Sequence, residues 1–178
     1  ITPTTKAAQG DHDAPITEAE ILSSKLLSSE HWEELSEKSL ALFSRGRELA
    51  KENGLILVDT KYEFGLDENG VITVADEIHT PDSSRYWISD TYDERFNASE
   101  NPESLDKEFL RLWVVAQCDP YKDPIPDIPD ETLIHFGEKY IQLYEIVPGQ
   151  KFEKPPLSEP VKERIRRALT SELPEYFS

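Results

Sequence analysis

The sequence predicts an α+β fold in which an antiparallel sheet packs against helices. Three observations carry that expectation. Leu55-Ile56-Leu57-Val58 is an uninterrupted apolar run of strand character. The turn sequence Asp67-Glu68-Asn69-Gly70 separates it from a second strand-like run, Val71 to Ile78. On both sides of this pair the apolar residues recur at helical spacing.

The elements follow in order. Residues 1–16 read as a loop, because Pro3, Gly10, Pro15 and the run Gly10-Asp11-His12-Asp13 supply turn chemistry. Thr17 followed by Glu20 is a capping box and starts a helix at about residue 18. A break is expected near Ser28-Ser29. A second helix then runs to about Asn53 on the stripe Trp32, Leu35, Ser39, Leu42, Phe43, Gly46, Leu49 and Ala50. Gly54 ends it in a left-handed cap. The strand from Leu55 continues through Asp59-Thr60-Lys61-Tyr62-Glu63-Phe64, turns at Asn69-Gly70 and returns over 71–78. Thr80-Pro81-Asp82-Ser83-Ser84-Arg85 reads as a loop. Helices are predicted at about 104–117, 131–146 and 160–170, separated by Pro-rich linkers at 120–129 and 155–160. The last has Pro160 in its first turn, and its Lys162, Arg164, Arg166 and Arg167 form a solvated face.

The bulk properties exclude several functions. Asp and Glu outnumber Lys and Arg by 36 to 19, for a net charge of −17. Nucleic acid and anionic membrane surfaces both require basic patches, so neither is an expected partner. No stretch reaches the ~18 apolar residues of a membrane span. Cys118 is the single cysteine. It forms no disulfide framework, fits a reducing, cytoplasmic setting and is expected in the core.

The chemistry concentrates around residues 57–65. Side chains alternate along a strand, so Asp59, Lys61 and Glu63 share one face, and Tyr62 and Phe64 the other. A hairpin closed about Asn69-Gly70 pairs residue 68 with 71 and residue 63 with 76. Glu63 then stands opposite Asp76. Two carboxylates so placed have Cβ atoms ~5 Å apart and repel by roughly 3 kcal/mol at an effective dielectric of ~20. A divalent cation turns that cost into binding, and magnesium is commonly held by one or two carboxylates plus substrate phosphates. Lys61 on the same face suits a phosphate or acyl oxygen. In the following loop, Asp82, Ser84 and Arg85 form a second polar cluster, and Arg85 can grip a phosphate or carboxylate through two hydrogen bonds. Lys6, His12 and Asp13 form a third. His31, His79 and His135 have no metal-site spacing.

Four stretches resemble one family in the same order. Leu57-Val58-Asp59-Thr60-Lys61-Tyr62-Glu63-Phe64-Gly65 is similar to a signature of the SAICAR synthetases, the phosphoribosylaminoimidazole-succinocarboxamide synthases of purine biosynthesis. Thr2-Pro3-Thr4-Thr5-Lys6-Ala7 with His12-Asp13, Asp76-Glu77 leading to Thr80-Pro81-Asp82-Ser83-Ser84-Arg85-Tyr86-Trp87, and Asp106-Lys107-Glu108-Phe109-Leu110-Arg111 agree with it. The resemblance covers residues 1 to about 147. It implies an ATP-grasp or kinase-like lobe, with ATP between two lobes, and ligation of L-aspartate to carboxyaminoimidazole ribotide (CAIR) using ATP and Mg2+. By resemblance Glu63 and Asp76 are the magnesium ligands and lie at the nucleotide. Asp59 and Lys61 flank the reacting carboxylate and phosphate. Arg85, Asp82 and Ser84 meet the ribotide, while Lys6 and Asp13 line the substrate side.

The glycine-rich phosphate loop of that family is not in this sequence. The chain begins Ile1-Thr2-Pro3 and contains no methionine. Residues 1–178 are therefore read as a C-terminal lobe, with 148–178 an extension and an N-terminal lobe of the same protein as its partner; a homo-oligomer is compatible with this reading. The alternatives are a magnesium-dependent small-molecule kinase sharing the lobe, and a non-catalytic acidic domain.

Overall fold

The computed structural model describes residues 1–8 and 12–176. Its elements are α1 (Glu18–Ser23), α2 (Ser29–Glu52), β1 (Leu55–Thr60), β2 (Phe64–Leu66), β3 (Ile72–Val74), β4 (Ser84–Ile88), α3 (Ser89–Asn97), α4 (Glu108–Gln117), α5 (Asp130–Ile146) and α6 (Val161–Glu172), then a 3-10 turn, Pro174–Tyr176. The predicted turn at Gly10-Asp11 lies outside the described residues.

The helix signals act as their chemistry requires. Thr17 and Glu20 close a reciprocal capping box at α1. Ser28 caps α2, its hydroxyl accepting from the His31 N–H at 3.2 Å. Gly54, at φ 72°, takes the left-handed turn that leads into β1. Along α2, Trp32, Gly46 and Ala50 are buried as the stripe predicts, whereas Leu49 lies at its exposed edge.

The strands form two separate two-stranded antiparallel sheets, β1 with β4 and β2 with β3. The core forms where β1 and β4 meet the helices: Leu55 and Leu57 from β1, Tyr86 from β4, Ala50 from α2, Leu105 before α4 and Leu143 from α5. Side chains of this size contribute roughly 1.5–3 kcal/mol each when fully buried. They anchor β1, whose continuation forms the site.

The strands differ from expectation in four ways. First, β4 and α3 occupy 84–97, where the sequence suggested a loop reaching Arg85 and no strand beyond it. Second, β1 stops at Thr60, and 61–63 belong to no strand before β2 resumes. A bulge at Val58 also shifts the β1–β4 register, so Leu57 opposes Tyr86 and Asp59 opposes Arg85. Third, β3 ends at Val74 rather than Ile78. Fourth, the hairpin register is off by one residue. Phe64 pairs with Val74, and the Glu63 carbonyl accepts from the Ala75 N–H at 2.9 Å, so Glu63 faces Ala75 and not Asp76.

The turn itself causes that shift. A type I′ turn needs positive φ at both central residues. Gly70 has φ 77°, but Asn69 is not among the positive-φ residues. The Gly70 N–H instead closes on the Asp67 carbonyl at 3.0 Å, and the Asp67 carboxylate accepts from the Asn69 and Val71 N–H groups at 2.9 and 2.8 Å. This is the three-residue loop in which a type I turn is followed by a left-handed glycine.

Helix α4 begins at Glu108, later than expected, because Leu105 and Asp106 are fully buried in the approach to it. Cys118 is half-buried at the end of α4 rather than in the core.

Candidate active site

A cavity of about 470 Å3 opens between the end of β1, the start of β4, the 76–83 segment and the start of α4. Asp59, Lys61, Glu63, Asp76, Asp82, Ser84 and Arg85 all line it. Seven of the nine residues named from sequence therefore converge on one space, although the pleat geometry used to bring Glu63 and Asp76 together was wrong. Asp76 reaches the cavity because β3 ends early and the chain turns there, its Oδ1 accepting from the Glu77 N–H at 2.9 Å.

The other two residues, Lys6 and Asp13, attach from the N-terminal segment. Lys6 Nζ donates to Glu63 Oε2 at 2.6 Å. Lys61 Nζ lies 3.1 Å from Glu63 Oε1 and 3.0 Å from Asp13 Oδ2. Asp13 Oδ1 accepts from the Ala7 N–H at 2.9 Å. The result is an alternating chain of charges, Lys6, Glu63, Lys61, Asp13, that ties Lys6 and Asp13 to the stretch after β1. The hydrogen bonds from Lys6 and Lys61 hold the Glu63 carboxyl below its usual range. The Ala7 N–H, then Lys61, do the same for Asp13.

Across the sheet, Arg85 Nε donates to both oxygens of Asp59, at 2.9 and 3.1 Å, and an Arg85 terminal nitrogen also pairs with Asp59. The guanidinium holds the Asp59 carboxyl below its usual range. Ser84 is buried, and its hydroxyl bonds to that of Thr60 at 2.8 Å. The loop before β4 is locally tied, with Thr80 Oγ1 donating to Glu77 and its carbonyl accepting from the Ser84 N–H at 2.9 Å.

Glu77, Asp106, Lys107, Glu108 and Arg111 also line the cavity, and sequence reasoning assigned none of them a role. The signal was present in the Asp106-to-Arg111 stretch, which stood among the matching motifs. Asp106 is fully buried, and it accepts from the Tyr86 N–H and the Glu108 N–H, both at 2.8 Å. It joins β4 to the start of α4. Arg111 pairs with Glu108 and holds that carboxyl low. His12 lines no part of this cavity.

The donor set suits a hard cation. Carboxylates make up much of the wall, Glu63 and Asp76 among them, and magnesium is commonly held by one or two carboxylates together with substrate phosphates. Among the described residues no group of three or more His, Cys, Asp or Glu is arranged to hold a metal ion. Lys6 and Lys61 neutralise Glu63 in this structure.

Comparison with known proteins decides the family. The model of the family described as SAICAR synthetase matches residues 1–128, well over half of the chain. The chain belongs to the SAICAR synthetase family. The phosphoribosylaminoimidazole-succinocarboxamide synthase of Legionella pneumophila (strain Lens) is 52% identical over 166 residues, 93% of this chain and 53% of the relative. Two solved members of the family share the fold. The Saccharomyces cerevisiae SAICAR synthase, complexed with SAICAR, aligns with a TM-score of 0.63 and 33% identity over 80% of this chain and 46% of its own. A SAICAR synthetase in complex with ADP aligns with a TM-score of 0.58 and 29% identity over 80% and 48%. The chain thus spans about half the length of the family members it matches. No helix among the described residues is long and apolar enough to cross a membrane.

Proposed function

We propose that this chain carries the substrate-facing part of an ATP-dependent carbon–nitrogen ligase that joins L-aspartate to the carboxylate of CAIR. The products are SAICAR, ADP and phosphate, a step of purine biosynthesis. The observation that carries this is the convergence of Asp59, Lys61, Glu63, Asp76, Asp82, Ser84 and Arg85 on one cavity. Relatives solved with SAICAR and with ADP support the substrate classes.

The reaction explains the residue types. A carboxylate is a poor electrophile, so its oxygen first takes the terminal phosphoryl group of ATP, and ADP leaves. The amine of aspartate then forms the C–N bond as the C–O bond to phosphate breaks. Phosphoryl transfer depends on positioning and charge neutralisation more than on covalent help. Arg85 offers a planar fork for an anionic group of the ribotide, and Asp59 keeps that fork aligned across the sheet. Asp82 and Ser84 stand beside it. Lys61, just beyond the end of β1, is placed for the developing negative charge at the carboxylate and phosphate.

Glu63 and Asp76 would hold magnesium, which would supply charge neutralisation at the phosphate. Lys6 and Asp13 line the substrate side through Glu63 and Lys61, and Asp13 would orient the aspartate amine. On this reading the ATP cradle would be completed by a lobe outside these 178 residues; the chain spans about half the length of the relatives it matches. Expression with that lobe, followed by an assay of ADP release with ATP, magnesium, CAIR and aspartate, tests the proposal. ADP release should require both CAIR and aspartate. Release with a sugar or inositol acceptor instead of CAIR would replace the ligase by a kinase.

A further inference from the structure

The segment that carries Asp82, Ser84 and Arg85 is held from outside the region matched by the family model. That match ends at residue 128, yet the Tyr140 hydroxyl on α5 donates to Asp82 Oδ1 at 2.8 Å. Asp82 Oδ2 makes no hydrogen bond among the described residues. On the main chain, Lys107 Nζ donates to the Asp82 carbonyl at 2.6 Å. Asp82 is thereby gripped at side chain and backbone by two different elements.

The sequence of α5 explains why Tyr140 can do this. Phe136, Lys139, Tyr140 and Leu143 share one helix face at the spacing of successive turns. Leu143 is buried in the core and fixes the helix. One turn earlier, Lys139 Nζ reaches the Ser104 carbonyl at 3.4 Å and lies 5.5 Å over the Phe109 ring. Phe136 packs edge-on to Tyr140 at 4.6 Å. The phenol is therefore aimed by packing before its hydrogen bond forms. Burial, then the bond to Asp82, pushes its ionisation up, so it is a donor throughout the working pH range.

We infer that Tyr140 is a positioning residue of the active site, holding Asp82 and through it the 80–85 segment in the geometry that receives the ribotide. This rests on the functional reading above. α5 then belongs to the working site, and its role is to orient a carboxylate rather than to touch the reacting atoms.

Tyr140→Phe removes one oxygen and keeps the ring, so packing around Phe136 is preserved. In the protein with both lobes, the KM for CAIR should rise about tenfold, with kcat and the KM for ATP within about twofold, because misplacement of a substrate contact falls first on that substrate. Amide hydrogen exchange of residues 80–85 should speed up, while that of β1 stays unchanged. Combined with Asp82→Asn, the tyrosine change should add little, since both act through one bond. Tyr144→Phe, on the half-exposed side of α5, should alter neither measurement. Unchanged exchange at 80–85 in Tyr140→Phe would overturn the proposal, as would an equal effect of Tyr144→Phe. Faster exchange at 80–85 in a protein that shows no CAIR-dependent activity even with tyrosine present would leave the positioning role standing and reject the ligase assignment.

Discussion

Arg85 on β4 stands directly opposite Asp59 on β1, and its Nε donates to both carboxylate oxygens. The bulge at Val58 creates this pairing by shifting Asp59 one residue along β4. Both side chains are about half exposed, so the pair is worth little to folding, ~0–1 kcal/mol. Its value lies in aiming a guanidinium into the cavity. Arg85→Lys should leave the urea midpoint within the equivalent of ~1 kcal/mol and raise the KM for CAIR at least ~10-fold, because an ammonium lacks the planar fork. An unchanged KM would remove Arg85 from the ribotide site.

The carboxylates Glu63 and Asp76 should control magnesium use. Glu63→Gln and Asp76→Asn should each raise the magnesium concentration for half-maximal ATP-dependent fluorescence change by at least the ~10–100-fold seen when outer-shell partners of a metal are removed. The readout is the tryptophan emission of the two-lobed protein. Identical magnesium curves for both variants and the parent would show that neither carboxylate binds the ion.

The Lys6, Glu63, Lys61, Asp13 chain sets a pH dependence. Glu63 and Asp13 titrate below their ordinary values of 4.5 and 3.8 in the folded protein. Groups with depressed folded values stabilise fully above their unfolded values, and that contribution is lost as pH falls through the folded ones. The thermal midpoint of the parent should therefore exceed that of Glu63→Gln above about pH 5, and the gap should shrink as the pH falls below the ordinary value of 4.5 and through the lowered folded one. Added salt should shrink the gap, since these groups are solvent-facing. A gap constant from pH 7 to 3 would contradict the pairing seen here.

Gly46 tests the packing behind the site. A Cβ at this position would lie 2.3 Å from Cε1 of His79, whose ring is held by Tyr62 through a 2.5 Å hydrogen bond. His79 sits at φ 56°, and its carbonyl accepts from the Tyr86 hydroxyl at 2.8 Å, so the ring has little room to retreat. Gly46→Ala should cost ~1–3 kcal/mol by urea denaturation. Adding His79→Ala should recover part of that loss, and equal losses in the single and double variants would place the strain elsewhere.

Local chemistry was legible in the chain itself. The capping box at Thr17, the break near Ser28-Ser29, the left-handed Gly54 and the buried Trp32, Gly46 and Ala50 of the α2 stripe depend on neighbours within a few residues, and each appears as read. The seven cavity-lining candidates were also legible, since their residue types and motif order do not depend on knowing the sheet. What the sequence misread was long-range. Ser84-Arg85-Tyr86-Trp87-Ile88 becomes a strand because β1 offers it a partner, and no turn signal within the segment announces that. The hairpin register turned on whether Asn69 takes positive φ, and the Asp67 side chain decided it by capturing the Asn69 and Val71 amides.

By itself, the sequence determined the α+β class, the helix boundaries set by caps and the set of charged residues fit for phosphate and carboxylate chemistry. Only tertiary structure decided that Glu63 faces Ala75, that Asp76 arrives through an early strand end, and that Asp106 and Tyr140 brace the site. The physical reason is range. Caps and stripes are governed by interactions over three or four residues, whereas strand pairing and helix docking are chosen by burial of surfaces far apart in the chain.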